Sequence, residues 1–162
     1  GYPDRMEYTV TVRKIPSVQA LTMEGKIQSY DEMEAFVRTA SEQLLKENPE
    51  TLPVKDGYRF ISFPKMPKDG EPIELNFTIE VAGSGPGVHT VDGISAACTK
   101  HKGPWDEMGD AYSTLIRWMM ANGYRATDAP REYYIKGPWE TRNRHEWKTE
   151  IEMPIIPLSD QE

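Results

Sequence analysis

The sequence predicts an α+β fold built from two similar halves. Each half reads as a strand pair, a helix and a second strand pair, with both helices on one face of an antiparallel sheet. Three observations carry this. The stretch His101 to Tyr124 has the start, face and stop of one amphipathic helix. The stretch Met23 to Asn48 repeats its plan. The flanks of both alternate apolar and polar residues, the period of a half-buried strand.

The later helix follows the turn Gly103-Pro104. Asp106 and Glu107 stand in its first turn, where negative charge meets the positive end of the helix dipole. Met108, Tyr112, Leu115, Ile116 and Met119 fall at spacings of three and four and form the apolar face. Asn122-Gly123 stops the helix, because glycine takes the left-handed conformation that helix ends favour.

The earlier helix has Asp31-Glu32-Met33 where the later one has Asp106-Glu107-Met108, a period of 75 residues. Each copy follows a strand pair with a break, Ile15-Pro16 in the first and Asp92-Gly93 in the second. Two unrelated helices with common start chemistry could share the acidic turn. The recurrence of strand pair, turn, helix and strand pair in one order favours duplication, with halves at about 5–82 and 88–157 of one domain over 1–162.

In chain order, Glu7 to Lys14 alternates and reads as a strand with Tyr8, Val10 and Val12 on one face. Val18 to Met23 follows Pro16 as a second strand, and Gly25 falls after it. Helix one runs from about Asp31 to Lys46, then Asn48 to Pro53 forms a loop. Tyr58 to Phe63 and Ile73 to Val81 are strands around the turn from Met66 to Pro72. Gly83-Ser84-Gly85-Pro86-Gly87 joins the halves; it lacks the lysine and following helix of a phosphate loop. Val88 to Val91 and Ile94 to Thr99 precede helix two. Arg131 to Lys136 and Glu146 to Ile156 close the chain as strands.

Hydrophobic residues make up 38% of the 162 and charged residues 28%, the balance of a soluble globular chain. No apolar run approaches the roughly 18–20 residues that span a bilayer, so no membrane association is expected. No signal-peptide core opens the sequence, and Gly1 at the front points to a processed or excised piece that leaves room for a partner domain. The single cysteine, Cys98, permits no internal disulfide and fits a reducing, cytoplasmic setting. It stands in an alternating stretch as a small buried strand residue. The net charge of −7 with no basic cluster argues against direct nucleic-acid binding. It suits neutral or cationic small molecules, and the ligand-binding unit is expected to be monomeric.

His89, His101 and His145 are widely separated, and no pair has metal-ligand spacing, so neither a metal nor another cofactor is expected. No G-x-S-x-G occurs and Cys98 has no activating partner, so no catalytic residue is assigned. The informative residues are carboxylates among aromatics. In a strand, Glu132 shares a face with Tyr134 while Tyr133 points the other way. If a helix covers that face, Glu132 is a carboxylate in aromatic surroundings, with a raised pKa and an attraction for lipophilic cations. On an edge strand it would simply face water. The aromatics around it favour the covered reading and give the candidate ligand set Glu132, Tyr134, Trp105, Tyr112, Trp147 and Tyr58. Glu146, Glu150 and Glu152 alternate along the last strand and read as its solvated face.

These residues resemble a known family. His101-Lys102-Gly103-Pro104-Trp105, Asp106-Glu107-Met108-Gly109, Leu115-Ile116-Arg117-Trp118, Asn122-Gly123-Tyr124, Arg131-Glu132-Tyr133-Tyr134 and Thr149 to Ile155 follow one another as in the GyrI-like small-molecule-binding domains, also called bacterial transcription activator effector-binding domains. Arg13-Lys14-Ile15-Pro16 resembles the family's opening, so the likeness covers nearly the whole chain. It implies two pseudo-symmetric halves with a ligand groove between them. In multidrug-sensing members a glutamate in the strand before the last meets cationic drugs in an aromatic cage, and Glu132 is the matching position. The resemblance further implies a lipophilic small-molecule ligand, and a fused or separate DNA-binding domain of MerR or AraC type. Some stand-alone members hydrolyse strained lipophilic electrophiles with groove carboxylate and tyrosine residues, which is the alternative reading. The related SOUL haem proteins share the fold, but no histidine here has an axial-ligand setting.

Overall fold

Residues 7–160 are described by the computed structural model; residues 1–6 and 161–162, including Gly1 and the outer ends of the expected domain, lie outside the described residues. The elements are β1 (Thr11–Ile15), β2 (Val18–Ile27), α1 (Met33–Glu47), β3 (Leu52–Pro53), β4 (Arg59–Ser62), β5 (Ile73–Ala82), β6 (His89–Val91), β7 (Ile94–Lys102), α2 (Gly109–Ala121), β8 (Tyr124–Ala126), β9 (Arg131–Lys136) and β10 (Lys148–Pro157). A short 3₁₀ turn precedes each long helix, at Tyr30–Glu32 and at Trp105–Glu107. α1 buries Met33, Val37, Ala40 and Leu44, and α2 buries Ala111, Leu115 and Met119, each a single stripe at helical spacing. Gly123, with φ 77°, ends α2 as its sequence implied. Ile116 departs from the expected apolar face and stays 47% exposed.

The sheet is antiparallel throughout, in the order β1-β7-β10-β9-β4-β5-β2-β6, with β3 added on β5 and β8 on β10. Both helices lie on one face. Leu21, Ile27, Ile61, Phe77 and Ile79 pack under α1, while Ala97, Ile151, Met153 and Ile155 pack under α2. The order has a twofold symmetry about the β9–β4 seam, with β7 matching β2, β10 matching β5 and β6 matching β1. β5 and β10 are offset by the 75 residues of the helix-start repeat at both ends.

The expected strand pairs are not hairpins. β1 pairs with β7 and β6 pairs with β2, so each half lends its first strand to the other. Three chain steps separate Ile15 from Val18, a reach of about 11 Å. Yet β1 stands at one end of the sheet and β2 next to the other. The sheet therefore curls into a half-barrel with the helices outside. Its inner face holds a second apolar cluster, where Ile15, Ala96 and Cys98 of one end meet Tyr58, Phe60 and partly buried Val91.

Two further readings are corrected by this curl and its packing. Glu150 and Glu152 do not form a solvated face; they are 3% and 0% exposed on the inner face, where Arg13 pairs with Glu150 and Tyr58 hydrogen-bonds Glu152. Glu146 does remain exposed, because it sits in a turn before β10. Gly25 does not follow β2 but lies within it, opposite Leu75, with the Phe36 ring of α1 filling the space of its missing side chain. Cys98 is buried as expected, and burial pushes its thiol up to about 12.

Candidate ligand-binding site

β9 supplies the floor. Glu132 sits between Ile61 of β4 and Ile151 of β10 in the ladder, and its side chain rises on the helix-bearing face with that of Tyr134. It is 7% exposed. Tyr112 of α2 donates to Glu132 Oε2 at 2.5 Å, and Tyr134 donates to Oε1 at 3.4 Å. Burial raises the Glu132 pKa above its ordinary value, and the two phenols oppose that rise by favouring the carboxylate. Burial and the neighbouring charge hold both phenols well above their usual range, so they remain donors.

The walls are aromatic. Trp105 stacks on Tyr134, with ring centres 4.3 Å apart, and tilts against Trp147 at 4.8 Å. A local device fixes Trp105. His101, buried at the end of β7, hydrogen-bonds the Pro104 carbonyl through Nε2 at 3.0 Å and the Tyr8 hydroxyl through Nδ1 at 2.9 Å. A carbonyl only accepts, so Nε2 carries the proton and Tyr8 donates to Nδ1. Burial lowers the His101 pKa, which favours this neutral form. The Trp105 indole N–H is buried with no partner among the described residues.

Between the starts of the two helices lies a groove of about 720 Å³. Tyr30, Asp31, Met33 and Glu34 line one side; Trp105, Asp106, Met108 and Gly109 line the other. Each residue of the first set stands 75 positions before its partner in the second. The groove thus sits on the repeat axis, but its deep carboxylate is one-sided: across the β4–β9 seam Glu132 stands opposite the apolar Ile61. Phe63, Met66, Tyr112, Pro130, Arg144 and Trp147 complete much of the lining. Glu34 is paired with Arg38 and Arg144, both at 2.9 Å.

Of the expected set, Glu132, Trp105, Tyr112 and Trp147 line this groove. Tyr134 lies beneath, 1% exposed, behind Trp105. Tyr58 is elsewhere. It lies on the inner face with Tyr133 and Phe60, bonded to Glu152. Tyr30, Met33, Met66 and Met108 were not singled out as lining. The repeat could have found one of them, since Tyr30 precedes the expected Trp105 by one period. Among the described residues no cluster of three or more metal-ligating side chains occurs. None of the described helices is long and apolar enough to cross a membrane.

A groove with apolar walls and a few convergent polar groups defines a small-molecule-binding domain. Comparison with known proteins makes the class specific. The profile of the GyrI-like small molecule binding domain matches residues 22–156, and the chain belongs to that family. No curated protein matches it. The chain is similar to the crystal structure of the EcmrR C-terminal domain, at 25% identity and a TM-score of 0.83, covering 94% of this chain and 99% of that one. It is equally similar to EcmrR in a cryo-EM structure of an EcmrR–DNA complex, at 25% identity and a TM-score of 0.83; 93% of this chain is covered, but it spans only 58% of that regulator. At 13% identity it shares the fold of SAV2435, solved with tetraphenylphosphonium, with a TM-score of 0.60 and coverage of 95% and 96%.

Proposed function

We propose that the groove binds small lipophilic cations and returns them unchanged, as the ligand sensor of a cytoplasmic transcription regulator. DNA contact would come from a fused or separate domain, since this chain carries a net charge of −7. One observation carries the reading: Glu132 is buried among aromatic rings, held by two phenols, and has no cationic partner among the described residues. A sheltered carboxylate without a countercharge is costly, and an arriving cation recovers part of that cost. Aromatic faces add cation–π attraction and tolerate varied shapes. Calorimetric titration with tetraphenylphosphonium and with neutral triphenylphosphine oxide tests it. Glu132→Gln is expected to weaken the cation roughly 10- to 100-fold, as for loss of a charged hydrogen-bond partner, and to leave the neutral probe nearly unaffected. Equal affinity of both proteins for tetraphenylphosphonium would overturn the reading.

A second reading rests on the 2.5 Å contact between Tyr112 and Glu132. An ionised Glu132 could take a proton from water as its oxygen attacks a strained carbon. The strained bond would break, and Tyr112 could protonate the leaving atom. Mass spectrometry after incubation with a strained electrophile separates the readings: a sensor returns it unchanged, a hydrolase adds the mass of one water.

A further inference from the structure

A second cavity, of about 540 Å³, lies on the inner face, on the opposite side of the sheet from Glu132. Strand register lays down its floor as two rows. Thr22 pairs with Thr78 and Thr78 with Phe60; one step along, Asn76 pairs with Ser62 and Ser62 with Arg131. Cross-strand partners hold their β-carbons about 4.5–5.5 Å apart, so each row is a continuous run of neighbours. Thr22 hydrogen-bonds both Thr78 and His89 Nε2 at 2.9 Å, which ties the first row to the wall strand β6. Arg131 reaches from the second row into the first. Its guanidinium carbon lies 4.9 Å from the centre of the Phe60 ring, with one nitrogen 3.4 Å from the Tyr58 hydroxyl and the other 3.3 Å from the Asp92 carbonyl oxygen. It makes no ion pair among the described residues.

We propose that this inner cavity is a second binding site, for a small hydroxycarboxylate whose carboxylate meets Arg131. A guanidinium has five N–H donors, and the two long contacts to Tyr58 and Asp92 leave most of them open. A carboxylate is the group that takes such donors side by side. The guanidinium already lies over the Phe60 ring, so little freedom is lost when the anion arrives. Ser62 and Asn76 follow Arg131 along the row, half-buried, with no side-chain hydrogen bond among the described residues. A hydroxyl and an amide both donate and accept, which matches hydroxyl groups on the ligand. The charge of the ligand is bounded as well. Arg131 is the only lysine or arginine of the lining, and exposed Glu24 and Asp128 share it. That balance suits one negative charge and disfavours a phosphate dianion. The site owes nothing to Glu132 and stands or falls apart from the groove.

The test is NMR titration of the isotope-labelled protein, at constant ionic strength, with gluconate and with sorbitol, its neutral polyol counterpart. Wild type is expected to show saturable amide shifts centred on Ser62 and Asn76 and to prefer gluconate about tenfold or more, as for a gained charge-assisted hydrogen bond. Arg131→Gln is expected to abolish that preference. Asn76→Ala, which leaves the guanidinium in place, is expected to weaken both probes several-fold and to keep the preference. The site is overturned by any of four results: no saturable shift with gluconate, equal affinity of wild type for the two probes, shifts centred instead on Tyr30 and Trp105 at the groove, or a preference that survives in Arg131→Gln. If Arg131→Gln does not fold, the wild-type preference and Asn76→Ala decide, and wild-type affinities in Asn76→Ala overturn the site. Inorganic phosphate binding more tightly than gluconate would overturn the assignment to a carboxylate.

Discussion

Tyr112 reaches Glu132 from a helix, not from the sheet: its hydroxyl, carried on α2, donates at 2.5 Å to a carboxylate carried on β9. The charge at the groove floor is thus tuned by an element that packs over the sheet. Hydrogen bonding to the ionised form lowers a carboxyl pKa, and here it opposes the effect of burial. Tyr112→Phe is expected to move the Glu132 titration upward. The size of the upward move reports how far this hydrogen bond favours the ionised form. NMR titration of the Glu132 carboxyl carbon reads this directly, and an unchanged midpoint would show that the contact does not favour the ionised form.

The same carboxyl sets a cost. Its folded-state pKa is raised, so the folded state holds the proton at pH values where the unfolded chain has lost it. Its contribution to stability is full below the ordinary carboxylate range and is lost as pH rises through the raised value. Glu132→Gln removes that loss. The variant is expected to gain stability over wild type as pH rises above the ordinary carboxylate range, read by urea unfolding at several pH values. Parallel pH profiles for the two proteins would count against a raised pKa.

Glu152 behaves similarly on the inner face. Burial and neighbouring Glu150 push it up to about 8, against an opposing hydrogen bond from Tyr58 and the charge of Arg13. Two carboxyls two residues apart on β10 compete there for one guanidinium. Stability from this pair should fall as pH climbs from the ordinary carboxylate range towards about 8. Glu152→Gln is expected to flatten that fall in thermal unfolding, without changing tetraphenylphosphonium affinity, because the inner face is separated from the groove by the sheet.

Gly93 lies in the link between β6 and β7. A side-chain carbon there would sit 2.5 Å from the Ile15 carbonyl oxygen and 3.2 Å from Ser17 nitrogen, both backbone atoms of the neighbouring link. Neither can swing away. Gly93→Ala is expected to cost about 1–3 kcal/mol of unfolding free energy, the usual range for overpacking. Gly109, with nothing within 4 Å of its added carbon, serves as the control.

Local patterns were legible in the sequence where local physics decides them. Arg131–Lys136 was read at its observed bounds because REYYIK alternates, and that alternation placed Glu132 with Tyr134. The helix starts were legible from their acidic turns. Alternation assigns residues to two faces, however, without saying what covers either. The fate of Glu150 and Glu152 depends on β1 crossing to pair with β7, a contact between distant strands that no local period encodes. Tyr58 was misplaced for a related reason. Its face follows from the register Phe60 to Tyr133 across β4 and β9, and register is a property of two strands together. Gly25 read as a strand end because the ring that replaces its side chain comes from another element.

The exchange of β1 and β6 has a consequence for how such a chain could arise. A half cut off between β5 and β6 would hold β2 with no neighbour on its outer side, β4 with an open flank at the seam, and β1 with no strand of its own half to join. Unpaired edges of this kind are templates for association. A second copy of the half would fill all three vacancies at once, donating its own first strand and receiving the other's. The chain has the topology of two halves that exchange their first strands and are tied end to end, and the tie is what allows one half to carry Glu132 where the other sets Ile61 across the seam.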